Sequence, residues 1–203
     1  MTDGQRPDAG KDLAVISGPS GVGKSTVVRA VLERMPELAF SVSATTRPPR
    51  EGETDGRHYH FLSRKDFQER IDAGGFIEHA EVFGRLYGTP VEELDRARQD
   101  GRTLLLEIDV QGGIQVRQRY PEALAILLTA PTMDDIRARL AGRGTESDAE
   151  VARRFAKAER ELRMARDSGA YDHEVINDTV EKAVGRIEHL IREYRRSSDD
   201  RSP

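Results

Sequence analysis

The residues with the clearest chemical potential form one run, Gly18-Pro-Ser-Gly-Val-Gly23-Lys24-Ser25. Its spacing is G-x-x-x-x-G-K-[ST], in which glycines leave room for successive backbone N–H groups to converge on phosphate oxygens. Lys24 is then set to reach β- and γ-phosphates, and the Ser25 hydroxyl to ligate Mg²⁺. Gly18, Pro19, Ser20, Gly21, Val22, Gly23, Lys24, Ser25 and Thr26 are the candidate ATP-binding residues. The plainer reading is a strand-to-helix turn that is merely glycine-rich. The flanks argue against it: Leu13 to Ile16 is an apolar run, and Val27, Val28, Val31 and Leu32 recur at helical spacing. A helix starting here adds its positive N-terminal end to the cradle.

A triphosphate cradle does not say what receives the γ-phosphate. A kinase needs a second grip for the acceptor, and three groups of side chains could build one. Arg47 and Arg50 flank two prolines, which hold two guanidinium forks at a set separation. Tyr59 and Tyr87 could add hydroxyl donors, although a solvated arginine loop with ordinary strand tyrosines has the same residues. Glu78 and Asp109, with hydroxyls at Ser43 and Thr89, could read guanine, whose ring N1–H and exocyclic amine are adjacent donors that one carboxylate accepts. Adenine's ring N1 is an acceptor and would be repelled. The plainer reading of Glu78 is a rim-exposed acid; Asp109, ending a Leu-rich run, is harder to explain structurally. Arg143 in Gly-Arg-Gly-Thr, and Arg153-Arg154 beyond it, could neutralise charge developing on the γ-phosphate from a closing flap.

The elements that must position these residues follow from the pattern. Ala39–Ala44 and His58–Leu62 alternate with period two and read as strands. Ser63 is a helix cap for about 64–73, closed by Gly74-Gly75. Phe76 to Thr89 reads as a hairpin, and Thr89-Pro90-Val91-Glu92 as a helix start with Thr89 the cap. Thr103–Asp109, Ala123–Leu128 and Val175-Ile176 are strands between helices, the last helix running from Val180 to about Tyr194 before a polar tail. The helix from about Ala149 to Arg166 has a thin apolar stripe, which suits a mobile flap. Alternating strands and helices predict a parallel sheet with right-handed crossovers, and the stretch from about Ser43 to Thr89 an inserted lobe.

Composition narrows the classes. The 203 residues suit one α/β domain with small insertions, and Met1 to about Lys11 reads as a polar tail. A net charge of −4 gives no reason to expect nucleic acid or an anionic membrane as partner. There is no cysteine, so disulfides, thiolate catalysis and cysteine–zinc sites are excluded. No apolar run has membrane-spanning length and no signal-peptide pattern is present, so a cytoplasmic location is expected. The five histidines lack metal-ligand spacing.

In combination these stretches resemble guanylate kinases from about Leu13 to Arg196. The resemblance rests on Ser17–Thr26, Phe40–Arg50, Phe76-Ile-Glu78, Tyr87-Gly-Thr89, Glu107-Ile-Asp-Val-Gln-Gly112 and Gly142-Arg-Gly-Thr-Glu146. It implies a P-loop NTPase-type parallel sheet flanked by helices, with an inserted mixed α/β GMP-binding lobe and a helical lid. The implied division is core 12–42, 90–131 and 168–197, lobe 43–89 and lid 132–167, with tails at 1–11 and 198–203. It implies transfer of the γ-phosphate of MgATP to GMP, and to dGMP, serving purine metabolism and GMP recycling. Ser43, Glu78 and Asp109 would recognise guanine, with Thr89 beside them. Arg47, Arg50, Tyr59 and Tyr87 would hold the GMP phosphate, and Arg143 and Arg154 would touch phosphates from lid and core. Catalysis would fall to Lys24, Arg47, Arg143 and Arg154. Asn177 matches a position near the ATP base, and Glu107 would join Ser25 at the metal. Glu107 stands where some relatives have Asp, and Thr89 where some have Ser; both keep the functional group. No obligate protein partner is implied. Two alternatives stay open: a kinase-like protein-binding module without catalysis, and a kinase for another acceptor such as AMP.

Overall fold

The computed structural model describes residues 12–82, 84–142 and 147–199. Its main sheet has five parallel strands in the order β2-β7-β1-β8-β9: Leu38–Phe40, Thr103–Ile108, Leu13–Ser17, Leu124–Thr129 and His173–Ile176. Both faces of this sheet are covered, which is why its strands read as continuous apolar runs. In β1, Ala14 and Ile16 point into a layer with Val28, Val31 and Ile187 from α1 (Lys24–Arg34) and α7 (Val180–Asp199). Leu13 and Val15 point the other way, onto Leu94 and Val116 of α3 (Val91–Gln99) and α4 (Val110–Arg119). Period-two alternation of side chains thus sorts a uniformly apolar strand into two cores.

The inserted lobe has its own four-stranded sheet, β4-β3-β6-β5: His60–Phe61, Ala44–Thr45, Arg85–Pro90 and Phe76–Val82. The helix α2 (Arg64–Asp72) closes it, capped by Ser63, whose hydroxyl oxygen accepts from the Asp66 N–H. A small core of Ala44, Phe67, Phe76 and Leu86 holds the lobe together, with Phe67 and Phe76 stacked at 4.3 Å between ring centroids.

Four expectations need correction. The alternating stretch Ala39–Ala44 is not one strand: β2 ends at Phe40 in the main sheet, and β3 starts at Ala44 in the lobe. Between them the Val42 N–H leaves the ladder and donates to the buried Glu93 carboxylate of α3 at 3.0 Å. Thr89 does not cap α3. Its hydroxyl donates to Glu78 at 2.8 Å, and Pro90 occupies the cap position without a side-chain bond.

The helix α6 (Asp148–Ser168) is also more than a flap. Ala158, Leu162 and Ala165 in its second half are buried against α4 and α5 (Met133–Ala141). The thin stripe is genuine, but small residues suffice where helices pack closely. Finally, α7 continues to Asp199, so Arg195 is no tail residue; its guanidinium donates to the Thr103 hydroxyl at 2.6 Å. Among the described residues no helix is long and apolar enough to cross a membrane.

Candidate active site

The glycine loop joins the C-terminal end of β1 to α1, at the edge where ligands bind in open α/β sheets. Two glycines are required by geometry. A Cβ on Gly18 would drive into the Leu128 carbonyl oxygen of the neighbouring strand, and Gly23 precedes α1 with φ at 94°. Lys24 folds back under the loop, donating to the Gly18 carbonyl at 2.6 Å and the Pro19 carbonyl at 3.2 Å. Burial pulls its ammonium below the ordinary lysine pKa, opposed by the negative charges of Glu107, Glu161 and Asp109. Ser25 lies in the first turn of α1, and its hydroxyl donates to the Glu107 carboxylate at 2.5 Å. Thr26 follows on the exposed side of the helix.

Four side chains brace this loop from outside it. Asn177, only 4% exposed, gives its amide N–H to the Val22 carbonyl at 2.8 Å. Its side chain is therefore a loop support. Arg139 of α5 donates to the carbonyls of Val22 and Asn177, at 3.0 and 2.8 Å. From α6, Arg154 reaches the Ser20 hydroxyl at 2.6 Å, and the buried Glu161 accepts from the Ser20 N–H at 3.4 Å. Arg139 and Glu161 were not legible in the sequence, because both sit in charge-rich helices among many equivalent residues. Arg143 lies outside the described residues.

Beside the loop is a cavity of about 170 Å³, lined by Ser43, Tyr59, Glu78, Tyr87, Glu107 and Asp109 among others. Five of the expected acceptor-site residues therefore meet at one hollow, together with Glu107. Glu78 forms its buried wall at 7% exposure. Loss of water around the carboxylate pushes its pKa up to about 7, helped by the Asp109 charge and opposed by the Thr89 hydrogen bond. Gly112 of α4 keeps the space beside Glu78 open, since a Cβ there would lie 3.1 Å from its Oε2. Asp109 has a structural task as well: one oxygen caps α4 by accepting from the Gly112 N–H at 2.8 Å. The strand β7 thus delivers Glu107 to Ser25 and Asp109 to the cavity from one end.

The proline loop turns its arginines differently. Arg47 is 13% exposed and forms a two-pronged pair with Glu53, at 2.9 and 2.8 Å. It also lies over the Tyr59 ring at 5.3 Å. The pair, together with the Arg50 N–H, holds the Glu53 carboxyl down at about 2. The side chain of Arg50 is exposed. Tyr59 and Tyr87 meet edge to face with centroids 6.2 Å apart. A larger hollow of about 450 Å³, at the other end of β8 near Arg117 and Tyr194, contains none of these residues.

A parallel sheet with a glycine loop at the end of its central strand, facing a separate lobe with a buried acid in its pocket, defines the P-loop phosphotransferases with an acceptor lobe. The family model for guanylate kinase matches residues 10–194. A guanylate kinase from Rubrobacter xylanophilus is 48% identical over 180 residues, covering 89% of this chain and 93% of its own. One from Nostoc sp. is 44% identical over 187 residues, covering 92% of each. The crystal structure of guanylate kinase from Anaplasma phagocytophilum superposes with a TM-score of 0.70 at 32% identity, over 90% of this chain and 85% of that one. The chain belongs to the guanylate kinase family.

Proposed function

We propose that this protein transfers the γ-phosphate of ATP reversibly to GMP, and that the residues gathered at the cavity and the glycine loop carry out the transfer. The observation that carries the reading is β7, whose end supplies one acid to the donor loop and another to the acceptor pocket. Both nucleotides are then anchored on one rigid strand, which fixes the distance a phosphoryl group must cross.

GMP enters the cavity with guanine toward Glu78, whose two oxygens accept from N1–H and the exocyclic amine. Ser43 and Asp109 flank the base, and Thr89 holds the Glu78 carboxylate in place. Arg47, Arg50, Tyr59 and Tyr87 grip the GMP phosphate. The backbone N–H groups of 18–25 cradle the ATP phosphates, with Lys24 at the β- and γ-phosphates. An oxygen of the GMP phosphate attacks the γ-phosphorus as the bond to the β-phosphate oxygen breaks, leaving GDP and ADP. The acceptor oxygen is already anionic at neutral pH, so no strong general base is needed. Arg154 and Arg143 spread the transition-state charge as lid 132–167 and lobe 43–89 close on the core and exclude water. The donor set suits Mg²⁺: Ser25 and Glu107 present hard oxygens side by side and would hold the ion. Bound there, the ion would supply positive charge against the phosphates of ATP.

A coupled assay with GMP, dGMP, AMP and UMP tests the reading. GMP is expected to exceed AMP and UMP in kcat/KM by at least about 10³-fold, because an unpaired buried acceptor strongly penalises the wrong base. Comparable rates with AMP would reject Glu78 as the base reader. Absence of turnover together with undetectable ATP binding would favour a protein-binding module. A second expectation concerns pH. Guanine needs ionised Glu78, and its carboxyl sits at about 7 in the free protein. KM for GMP should therefore rise by up to about tenfold per unit as pH falls below 7, and level off above it. KM for ATP should not follow. A GMP KM flat from pH 5.5 to 8 would remove Glu78 from the base.

A further inference from the structure

Glu53 lies in the same proline loop as Arg47 and Arg50 but has no part in the mechanism above. Its geometry is specific. Its Oε1 accepts from Arg47 Nη2 at 2.8 Å, and its Oε2 accepts from Arg47 Nη1 at 2.9 Å and from the Arg50 backbone N–H at 2.7 Å. The Glu53 N–H in turn donates to the Arg50 carbonyl at 3.0 Å. Arg47 Nη1 also donates to the Pro48 carbonyl at 2.8 Å. The guanidinium lies over Tyr59 and Phe61, at 5.3 and 5.8 Å from their ring centroids. Four of its surroundings are thus set by one short loop and one short strand.

This arrangement fixes the orientation of the fork. Glu53 takes the Nη1–Nη2 end, and the side chain of Tyr87, itself an expected phosphate ligand, also hydrogen-bonds the guanidinium. An arginine on an open loop would otherwise sample many rotamers, and ordering one on each binding event costs conformational entropy. A carboxylate beside a phosphate site is electrostatically unhelpful, and it is tolerable here because Arg47 neutralises it directly.

We propose that Glu53 is a positioning residue for the acceptor phosphate: it locks the Arg47 guanidinium and the Arg50 backbone so that Arg47, beside Tyr87, meets the phosphate of GMP. The inference rests on the reading of Arg47 as a phosphate ligand. Its sign separates it from simple charge repulsion, which predicts tighter GMP binding when the acid is neutralised. Positioning predicts the reverse.

The test is Glu53→Gln, which keeps size and loses the charge-assisted two-pronged pair. GMP KM is expected to rise about tenfold, with kcat and ATP KM within about twofold of the parent. The inhibition constant of guanosine, which has no phosphate, should stay unchanged. An unchanged or lower GMP KM overturns the proposal. So does an equal loss of guanosine and GMP, because that reports a disordered lobe and not a misdirected arginine. Arg47→Ala, measured alongside, isolates the underlying reading. If Arg47→Ala leaves GMP KM unchanged, the phosphate grip itself is wrong. If it weakens GMP while Glu53→Gln does not, only the role of Glu53 fails.

Discussion

Lys24→Ala should fold like the parent and lose kcat by about 10²–10³-fold, the cost typical of removing one preorganised charge donor from a transition state. The ammonium makes two bonds to loop carbonyls and sits among the charges of Glu107, Glu161 and Asp109. In the ligand-free protein it relieves that negative cluster. With both nucleotides bound it faces phosphate charge that grows during transfer, so its removal acts on kcat more than on ATP KM. Stability should change little, because the loop is held independently by Asn177 and Arg139 on Val22 and by Arg154 on Ser20. The decisive measurements are single-turnover rate and thermal midpoint. A variant with near-parental turnover would end the assignment, and one that is unfolded at 25 °C would make Lys24 structural. A related consequence is that activity should decline on the alkaline side at lower pH than an exposed lysine would give, since burial lowers the Lys24 pKa.

The second large effect is expected from Glu78→Gln, in two opposite directions. GMP KM should rise by about 10²-fold, because the new amide N–H points a donor at guanine's own donors. At the same time the ligand-free protein should become more stable above neutral pH. The sign follows from linkage. The folded-state pKa of Glu78 is raised from 4.5 to about 7, so folding favours the protonated acid. The penalty for holding it ionised is absent below about 4.5, builds as pH rises to 7, and is constant beyond. Its full size is on the order of 3 kcal/mol. Gln keeps an acceptor for the Thr89 hydroxyl and carries no such penalty, so the Tm gap between variant and parent should open between pH 4.5 and 7. A variant less stable than the parent at pH 8, or with unchanged GMP KM, would refute the account of Glu78. The combination is a stability cost retained at a binding site, where burial makes an acid a better discriminator of hydrogen-bond donors.

Much of this was readable before any coordinates. The glycine spacing has one mechanical meaning when a strand precedes it and a helix follows, and both flanks announce themselves by periodicity. The parallel sheet was legible for the same reason: strands buried on both faces must be apolar throughout, as Leu104 to Leu106 and Leu124 to Leu128 are. The hairpin of β5 and β6 was legible through its alternation and its turn at Gly84. Errors arose where a short polar side chain had two possible partners. Thr89 has the pattern of a helix cap, but a buried carboxylate across the hairpin accepts its hydroxyl instead. Asp109, expected as an acid for the base, has an added task that residue type does not announce, since one of its oxygens also caps the next helix. The break at Val42 was invisible because it depends on Glu93, 51 positions away along the chain.

The sequence by itself determined the chemistry available: a phosphate cradle, a lysine, an acid for a base edge and arginines for an anion, carried on an α/β frame. These are properties of residue type and local spacing, which a linear pattern encodes. The tertiary structure decided which groups are engaged with one another, and so what each can do. It buried Glu78 and thereby raised its pKa, paired Arg47 with Glu53, and turned Asn177 inward to hold the loop. Those outcomes depend on desolvation and on contacts between residues far apart in the chain, neither of which has a period or a motif to read.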